Sequence, residues 1–385
     1  MRLACFTAAF LIGFGHAAIA GPTGSSESIA ACDRAAASPF DKSRPAGLAG
    51  VSTEKIDFVA AIAACEAAIK ADPGDDRMVM QLGRAYLAAR DDDQARMKFD
   101  KANRMGNALA AVELAGFYTK GRAGLPVDDV AAMHLLKKAA ATGLAVAQMQ
   151  LGYFHCYGRG GLAVDELEAV RLYRLAADQG FAAAQNNLGF LYEKGRGGLP
   201  RDDEQAARYY RLAANQGSGL ARSNLAVLYK DGRGGLAKDD AVAAFLFQQA
   251  ANQGVPAAQA HLGNFHQEGR GGLAKDLLRA ARLYKLAADG GNALGQSSLA
   301  FFYQDGLGGL QKLEAEAARL HRLAADQGNA ASQAALGVFH QEGRGGLSKN
   351  ESEAARLLKL AADQGDAKAQ TMLTELNKRR SQVGT

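Results

Sequence analysis

Apolar and polar positions alternate along most of the chain with the period of an α-helix. One such segment spans residues 182–194. In it, Ala184, Leu188 and Leu191 fall three or four residues apart, which places them on one helical face. A glycine-rich break follows, and residues 203–215 carry a second stripe of the same kind. Neither helix can shield its own stripe from water, so the pattern predicts pairs of helices that stack on further pairs.

The helical pair recurs every 37 residues. This spacing separates the glycines that follow each second helix, which are Gly106, Gly143, Gly180, Gly217, Gly254, Gly291, Gly328 and Gly365. It also connects the leucines of the first helices from Leu114 to Leu336 without slippage. A register kept over seven units predicts a tandem repeat array over residues 107–365.

The break between the two helices has its own signature. Gly195 and Gly197 supply residues that tolerate the left-handed backbone of a helix end and a tight turn. Asp202 then stands where an N-cap is needed, because a carboxylate can accept from the free N–H groups of the first turn. The same acid recurs in other units, as Asp128, Asp165, Asp239 and Asp276.

The repeat resembles the Sel1-like repeat family, whose units combine A-x-x-x-L-G-x-x-Y-x-x-G-x-G, an acid, and A-x-x-W/Y-Y-x-x-A-A-x-x-G. The third unit matches this pattern at Ala184, Leu188, Gly189, Tyr192, Gly195, Gly197, Ala206, Tyr209, Tyr210, Ala213, Ala214 and Gly217. The resemblance implies an all-α fold, a right-handed α-solenoid of the tetratricopeptide-like superfamily. It also implies an adaptor that binds other proteins in signalling or envelope assembly.

Several units depart from the family pattern. The loop is one residue longer throughout, and His155, His266 and His340 replace the aromatic residue of the first helix. Three further departures affect the fourth and sixth units, namely Ala226, Ala300 and Leu307. Alanine stands where glycine is usual in the first two, and leucine replaces the loop arginine in the third.

The regions that flank the array are predicted to close its ends. Residues 53–106 have the spacing of tetratricopeptide-like capping repeats, carried by Leu82, Gly83 and Phe99 among others. Residues 366–385 follow as a capping helix and polar tail. Residues 21–52 show no periodicity and are predicted to form an irregular, partly extended leader.

The first twenty residues have the pattern of an export signal. Arg2 precedes an apolar run that is too short to span a bilayer, and Ala18-Ile19-Ala20 offers small residues for signal peptidase. We therefore expect cleavage after Ala20 and a periplasmic or secreted protein. No later segment has the length and apolarity of a membrane span.

Three cysteines remain after cleavage, and an exported protein meets oxidising conditions. Cys32 and Cys65 both precede the array, and we predict a disulfide between them. Cys156 has no obvious partner and is interpreted as a small apolar filler.

The sequence offers no constellation that indicates catalysis, a cofactor or a metal site. His261 and His266 are five residues apart, which does not place two ligands on one helical face. No G-x-S-x-G motif occurs, and His155 and Cys156 are neighbours whose side chains diverge on a helix. A net charge of +5, spread along the helices, does not indicate nucleic-acid binding. We therefore predict no enzyme activity, no cofactor and no nucleic-acid partner.

The resemblance carries a partner-binding surface onto the first helices, which line a concave groove in related superhelices. The equivalent positions combine aromatic, aliphatic and amide side chains, as an extended peptide requires. The principal candidates are Tyr153, Asn186, Phe190, Glu193, Lys230, Asn264 and Phe301. The neighbouring candidates are Met149, Cys156, Ser223, Val227, Gln267, Ser297, Gln304, Val338 and Gln341.

A second surface follows the loops between the helices. Its arginines share one repeat position and are Arg122, Arg159, Arg196, Arg233, Arg270 and Arg344. They form an anion-binding edge for cell-wall or exopolysaccharide material, or each guanidinium bonds loop carbonyls and covers a leucine locally. A third alternative, a cell-wall or β-lactam hydrolase, is suggested by some cysteine-rich relatives, but those carry a disulfide in each repeat, which this chain lacks.

Overall fold

The structure is a computed structural model that describes residues 23–383, and over this range it contains α-helices and one 3₁₀ turn, Thr53–Lys55, but no strand. The helices are α1 (Thr23–Ala36), α2 (Phe58–Ala71), α3 (Asp76–Ala88), α4 (Asp92–Arg104), α5 (Ala108–Lys120), α6 (Asp129–Ala141), α7 (Ala145–Tyr157), α8 (Glu166–Asp178), α9 (Ala182–Lys194), α10 (Asp203–Asn215), α11 (Gly219–Asp231), α12 (Asp240–Asn252), α13 (Pro256–Glu268), α14 (Leu277–Asp289), α15 (Ala293–Asp305), α16 (Glu314–Asp326), α17 (Ala330–Glu342), α18 (Glu351–Asp363) and α19 (Ala367–Val383). No described helix combines the length and apolarity that a membrane span requires.

The chain divides into two compact units. Unit 1 ends at Leu151 and includes Arg159–Leu162, and unit 2 comprises Gly152–Gly158 and the chain from Ala163 onward. Consecutive helices pack against each other from α1 to α6 in unit 1 and from α8 to α19 in unit 2, and alanine-rich faces form small cores between them. The prediction of an all-α solenoid built from helical pairs is confirmed.

The helix ends follow the chemistry expected from the repeat. The Asp202 carboxylate accepts a hydrogen bond from the Gln205 backbone N–H, and Gly195 adopts φ 60° at the end of α9. The other predicted acids cap their helices in the same way. Leu313 is the exception among the N-cap residues described for the second helices of the array, because its side chain cannot accept a hydrogen bond.

One close contact explains the glycine that follows the leucine in three of the first helices, α7, α9 and α13. A Cβ atom on Gly189 would lie 2.7 Å from the Tyr210 ring, which is buried against it from the second helix. Tyr173 and Tyr284 pack on their glycines in the same manner. In the fourth repeat Phe247 occupies the tyrosine position and shares a core with Ala226. The departure from glycine therefore coincides with a ring that carries no hydroxyl.

The N-terminal region of unit 1 is held by a covalent bond. The predicted disulfide joins Cys32 to Cys65, with the two Cα atoms 4.6 Å apart, and it fixes α1 against α2. We had expected the whole leader to be irregular, but its first part forms the helix α1. Burial of Cys32 and Ala36 against α2 and α3 stabilises this helix, and that tertiary contact leaves no periodic signal in the sequence. The predicted export signal lies outside the described residues.

Candidate partner-binding face

The predicted binding residues share one side of the first helices, which we call the first-helix face. In α9 it consists of Asn186, Phe190 and Glu193, whose spacing of four and three residues aligns them on one side. The Phe190 ring is 37% exposed, and Tyr153 at the same position of α7 is 39% exposed. Large apolar rings are therefore available to a partner at this position in unit 2.

Some polar side chains of this face already form hydrogen bonds with other residues of the chain. The Asn224 side chain of α11 donates to the Asn186 oxygen over 3.0 Å, so the two neighbouring first helices are joined on this side. Glu193 accepts from the Tyr210 hydroxyl at 2.9 Å and lies 3.5 Å from the Arg233 guanidinium. Glu193 therefore mainly stabilises the packing behind the face through its contacts with Tyr210 and Arg233.

Tyrosine hydroxyls reach the face from the second helices behind it. The Tyr284 hydroxyl lies 2.6 Å from oxygens of both Asn264 and Gln267, and burial raises the pKa of its phenol well above the usual range. Sequence reasoning missed these contacts. A spacing of 17 residues between Tyr210 and Glu193 and between Tyr284 and Gln267 was the available signal.

Cys156 occupies the same register as Glu193 and Gln267. It is the free cysteine of the described chain and is buried. Burial raises the pKa of its thiol, and the nearby Glu166 carboxylate adds to this shift. A protonated, buried thiol is a poor nucleophile, which agrees with its interpretation as a packing residue.

A cavity of about 370 Å³ opens on the face near the C-terminal end of unit 2. Phe301 and Gln304 of α15, Val338 of α17 and Met372 of α19 contribute to its lining. The remaining walls are mainly alanine methyl groups, with Asp366 and Lys368 as charged groups. An apolar site of this size with a few polar groups is typical of a pocket for a large side chain.

Aromatic and cationic groups meet on the face at α7 and α9. The rings of Tyr153 and Tyr157 are 4.5 Å apart at their centroids. The Lys194 ammonium and the Arg196 guanidinium lie 5.8 and 6.0 Å from the centre of the Phe190 ring. This region therefore presents aromatic surface with positive charge beside it.

The loop arginines are paired with acids of the preceding repeat. In each case Nε and Nη2 of the arginine bond a carboxylate that lies 30 residues earlier, at the first position of the second helix. These pairs are Arg122 with Asp92, Arg159 with Asp129, Arg196 with Glu166, Arg233 with Asp203, Arg270 with Asp240, and Arg344 with Glu314. The guanidinium lowers the pKa of Asp203 and Asp240 through these hydrogen bonds.

This pairing changes the interpretation of the arginine row. We expected each guanidinium either to bond loop carbonyls or to bind a polyanion, but its principal partner is a carboxylate on the neighbouring repeat. In the sixth unit Leu307 replaces the arginine, and Leu277 stands 30 residues earlier in place of the acid. Both members of the pair are therefore replaced together, a signal in the sequence that we had not recognised.

Two histidines of the repeats, His261 and His321, pack against core side chains. His261 stacks on Phe247 with ring centroids 4.9 Å apart, and His321 is fully buried with its Nδ1 3.0 Å from the Ser332 hydroxyl. Burial lowers the pKa of both imidazoles to about 4. In residues 23–383, His, Cys, Asp and Glu form no group that could hold a metal ion.

Comparison with known proteins identifies the repeats. The Sel1 repeat matches seven consecutive segments, which are residues 108–144, 145–181, 182–218, 219–255, 256–292, 293–329 and 330–366. A protective antigen of uropathogenic Escherichia coli strains, described as having an SLR fold, is 31% identical, with a TM-score of 0.54 over 83% of this chain and 67% of that one. A Sel1 repeat protein from Oxalobacter formigenes is 28% identical, with a TM-score of 0.49 over 79% of this chain and 87% of that one.

No curated protein matches the chain significantly. Sel1 repeats are generally non-enzymatic modules for protein interaction. Seven matched repeats cover more than half of the sequence, so the chain belongs to the Sel1 repeat family.

Proposed function

We propose that this protein is an exported scaffold that holds another protein, or a peptide segment of it, on the first-helix face. Envelope signalling or assembly is the setting that the family resemblance suggests. The bound segment places large apolar side chains against Tyr153, Phe190 and Phe301, and amide groups such as Asn264 contribute hydrogen bonds.

The cavity beside Phe301 is the observation that carries the proposal. It joins side chains from three successive first helices, α15, α17 and α19, so it exists only because the repeats are stacked. Buried aromatic and aliphatic anchors supply most of the energy of protein interfaces, and a preformed pocket lowers the cost of binding one.

Two features support export. The first twenty residues have the composition of a cleavable signal, and the Cys32–Cys65 disulfide is of the kind that persists in oxidising compartments. Fractionation tests this part: the mature chain should begin at Gly21 and should carry the intact disulfide when it is isolated without reductant.

Site-specific photo-crosslinking tests the binding face. A photoreactive side chain at position 190 or 338 should trap a partner in cells, and the adduct should be abolished by Phe301→Ala for position 338 and by Asn186→Ala for position 190. Leu212 is the matched control, because it is 42% exposed on a second helix. Equal crosslinking from positions 190, 338 and 212 would contradict the proposal.

Affinity measurements complete the test once a partner is trapped. Phe190→Ala and Phe301→Ala should each weaken binding roughly tenfold or more, as expected for central aromatic anchors. Leu212→Ala should leave binding unchanged. Binding through apolar pockets should also persist from low to moderate salt, whereas binding by a row of arginines would weaken steeply.

A further inference from the structure

The helical pair α3–α4, which we call the N-terminal repeat, contains an equivalent of the position that Phe190 occupies in α9. Phe99 packs on Gly83 of α3, with its ring 2.6 Å from where a Cβ atom would lie, just as Tyr210 packs on Gly189. The residue that follows Gly83 is Arg84, and the residue that follows Gly189 is Phe190. Arg84 therefore lies on the first-helix face of α3, within unit 1.

Arg84 is covered, although it carries a charge. It is 3% exposed, whereas Phe190 is 37% exposed. What covers it belongs to the chain itself: the irregular segment of residues 37–57, which we call the leader loop, joins α1 to α2. Burial lowers the pKa of Arg84, and the carboxylates of Glu113, Glu54 and Asp41 oppose that shift.

The guanidinium of Arg84 binds one main-chain carbonyl at the end of α1 and one within this loop. Its Nη1 donates to the carbonyl oxygen of Ala36 and its Nη2 to that of Val51, each over 2.5 Å. The Val51 N–H in turn donates to the Ala37 carbonyl over 2.8 Å. The side chain thus holds two adjacent stretches of backbone, and its Nη2 makes one longer contact of 3.5 Å with the Thr53 hydroxyl of the loop.

Other groups of α3 extend this contact. Gln81 donates to the Asp33 carboxylate over 2.8 Å, and the Arg77 guanidinium lies 3.1 Å from the same carboxylate. Arg77 also donates to the carbonyl oxygen of Ser43 over 3.0 Å. The donors lie on α3, and the acceptors are main-chain carbonyls and the Asp33 carboxylate at the end of α1 and in the leader loop.

We infer that the end of α1 and the leader loop act together as a built-in ligand of the first-helix face, and that the N-terminal end of this face selects a segment that offers paired main-chain carbonyls to Arg84. In the folded chain the leader loop fills that site. This inference rests on the proposed function in taking the face as a binding surface, and it names the chemistry of the segment that the N-terminal end accepts.

The loop can be displaced without altering Arg84. A Cβ atom on Gly50 would lie 2.3 Å from the Cα atom of Pro39, a clash with backbone, so Gly50→Val should open the loop while leaving α3 unchanged. The probe is a labelled synthetic peptide of residues 33–57, which contains no cysteine. In the wild-type chain the tethered loop is present at a high effective concentration and excludes this peptide.

The peptide should bind the full-length Gly50→Val protein at least tenfold more tightly than the wild type. The added substitution Arg84→Ala should abolish that binding, and a peptide that itself carries Gly50→Val should not bind. Equal affinity for the wild type and Gly50→Val would overturn the inference, as would leader-loop amides that stay as protected from hydrogen exchange in Gly50→Val as in the wild type.

Arg84→Ala alone provides a second test if Gly50→Val fails to fold. Amide exchange in residues 48–52 should rise at least tenfold, while protection in α5 and α6 stays the same. Unchanged exchange would refute the role of Arg84. Neither readout involves Phe190, Phe301 or an external partner, so this inference and the proposed function can fail separately.

Discussion

In α3 the residue after the packing glycine is a buried arginine, whereas in α9 it is a half-exposed phenylalanine. The helical pair beneath is the same in both, with a ring from the second helix packed on the glycine of the first. The N-terminal region concentrates its additional contacts in one disulfide and in the side chains of Arg77, Gln81 and Arg84. The Sel1 repeats distribute theirs, with an arginine–carboxylate pair at each junction except the one that carries Leu277 and Leu307. The difference shows that one backbone design can either close its face or leave it open.

Removing the disulfide should produce the largest change in stability. Cys32→Ser with Cys65→Ser releases a loop of 33 residues, and the chain-entropy model gives a cost of about 3–4 kcal/mol for the N-terminal region. Hydrogen exchange of α2 and α3, measured without reductant, reports this cost. Cys156→Ser is the control, since Cys156 is free. A change below about 0.5 kcal/mol would mean that the Arg84 contacts alone hold the leader.

Acid should weaken the repeats through their buried histidines. His261 and His321 have pKa values of about 4 in the folded chain, below the ordinary 6.5, so the unfolded chain binds more protons between these values. Stability is therefore complete above pH 6.5 and falls as the pH drops towards 4. Each histidine contributes on the order of 2–3 kcal/mol to this loss.

The substitution His321→Phe isolates one of the two. Phe247 already occupies the equivalent position beside Ala226, so a phenyl ring fits this register. The variant should lose about half of the pH dependence, measured as denaturant midpoints at pH 7 and pH 4.5, although the Ser332 hydroxyl loses its partner. An unaltered pH profile would show that His321 is not the titrating group.

The glycine–tyrosine contact should cost less to disturb. Gly189→Ala introduces a methyl group into the Tyr210 ring and should destabilise unit 2 by about 1–2 kcal/mol. The double variant with Tyr210→Phe reproduces the natural Ala226–Phe247 pair and should recover part of that loss, because the ring no longer has to reach Glu193. Thermal unfolding of the two single variants and the double variant measures the coupling. Additive effects would contradict it.

The arginine–carboxylate pairs should show the smallest effect. Arg270→Leu should cost about 1 kcal/mol, because the pair with Asp240 is bidentate but only partly buried. Arg270→Leu with Asp240→Leu reproduces Leu277 and Leu307 and should be closer to wild type than either single variant. If the double variant is the least stable of the three, the natural leucine pair is not a replacement for the ion pair.

Much of the fold follows from the sequence because the repeat supplies the same evidence seven times. The helices, the Asp202-type caps and the left-handed glycines depend on neighbours within one repeat. The Cys32–Cys65 pairing could be predicted because both cysteines precede the array. Contacts between neighbouring repeats were harder to predict, because the acid and the arginine that meet are 30 residues apart and belong to different motifs.

The site illustrates the same limit. Phe190 and Tyr153 could be placed on an exposed face by register alone. The tyrosine hydroxyls behind Glu193 and Asn264, and the loop that covers Arg84, depend on three-dimensional packing. The helix α1 was missed for the same reason, since its stability comes from burial of Cys32 and Ala36 and not from a periodic pattern.

The paired exchange at Leu277 and Leu307 limits how freely the units can be shuffled. If residues 218–254 were excised, Arg270 would face Asp203, and the junction would remain matched. If residues 292–328 were excised, Arg344 would face Leu277 and lose Glu314. Removal of a whole repeat is therefore tolerated at some positions and not at others, because each repeat ends in a residue that only some neighbours can complement.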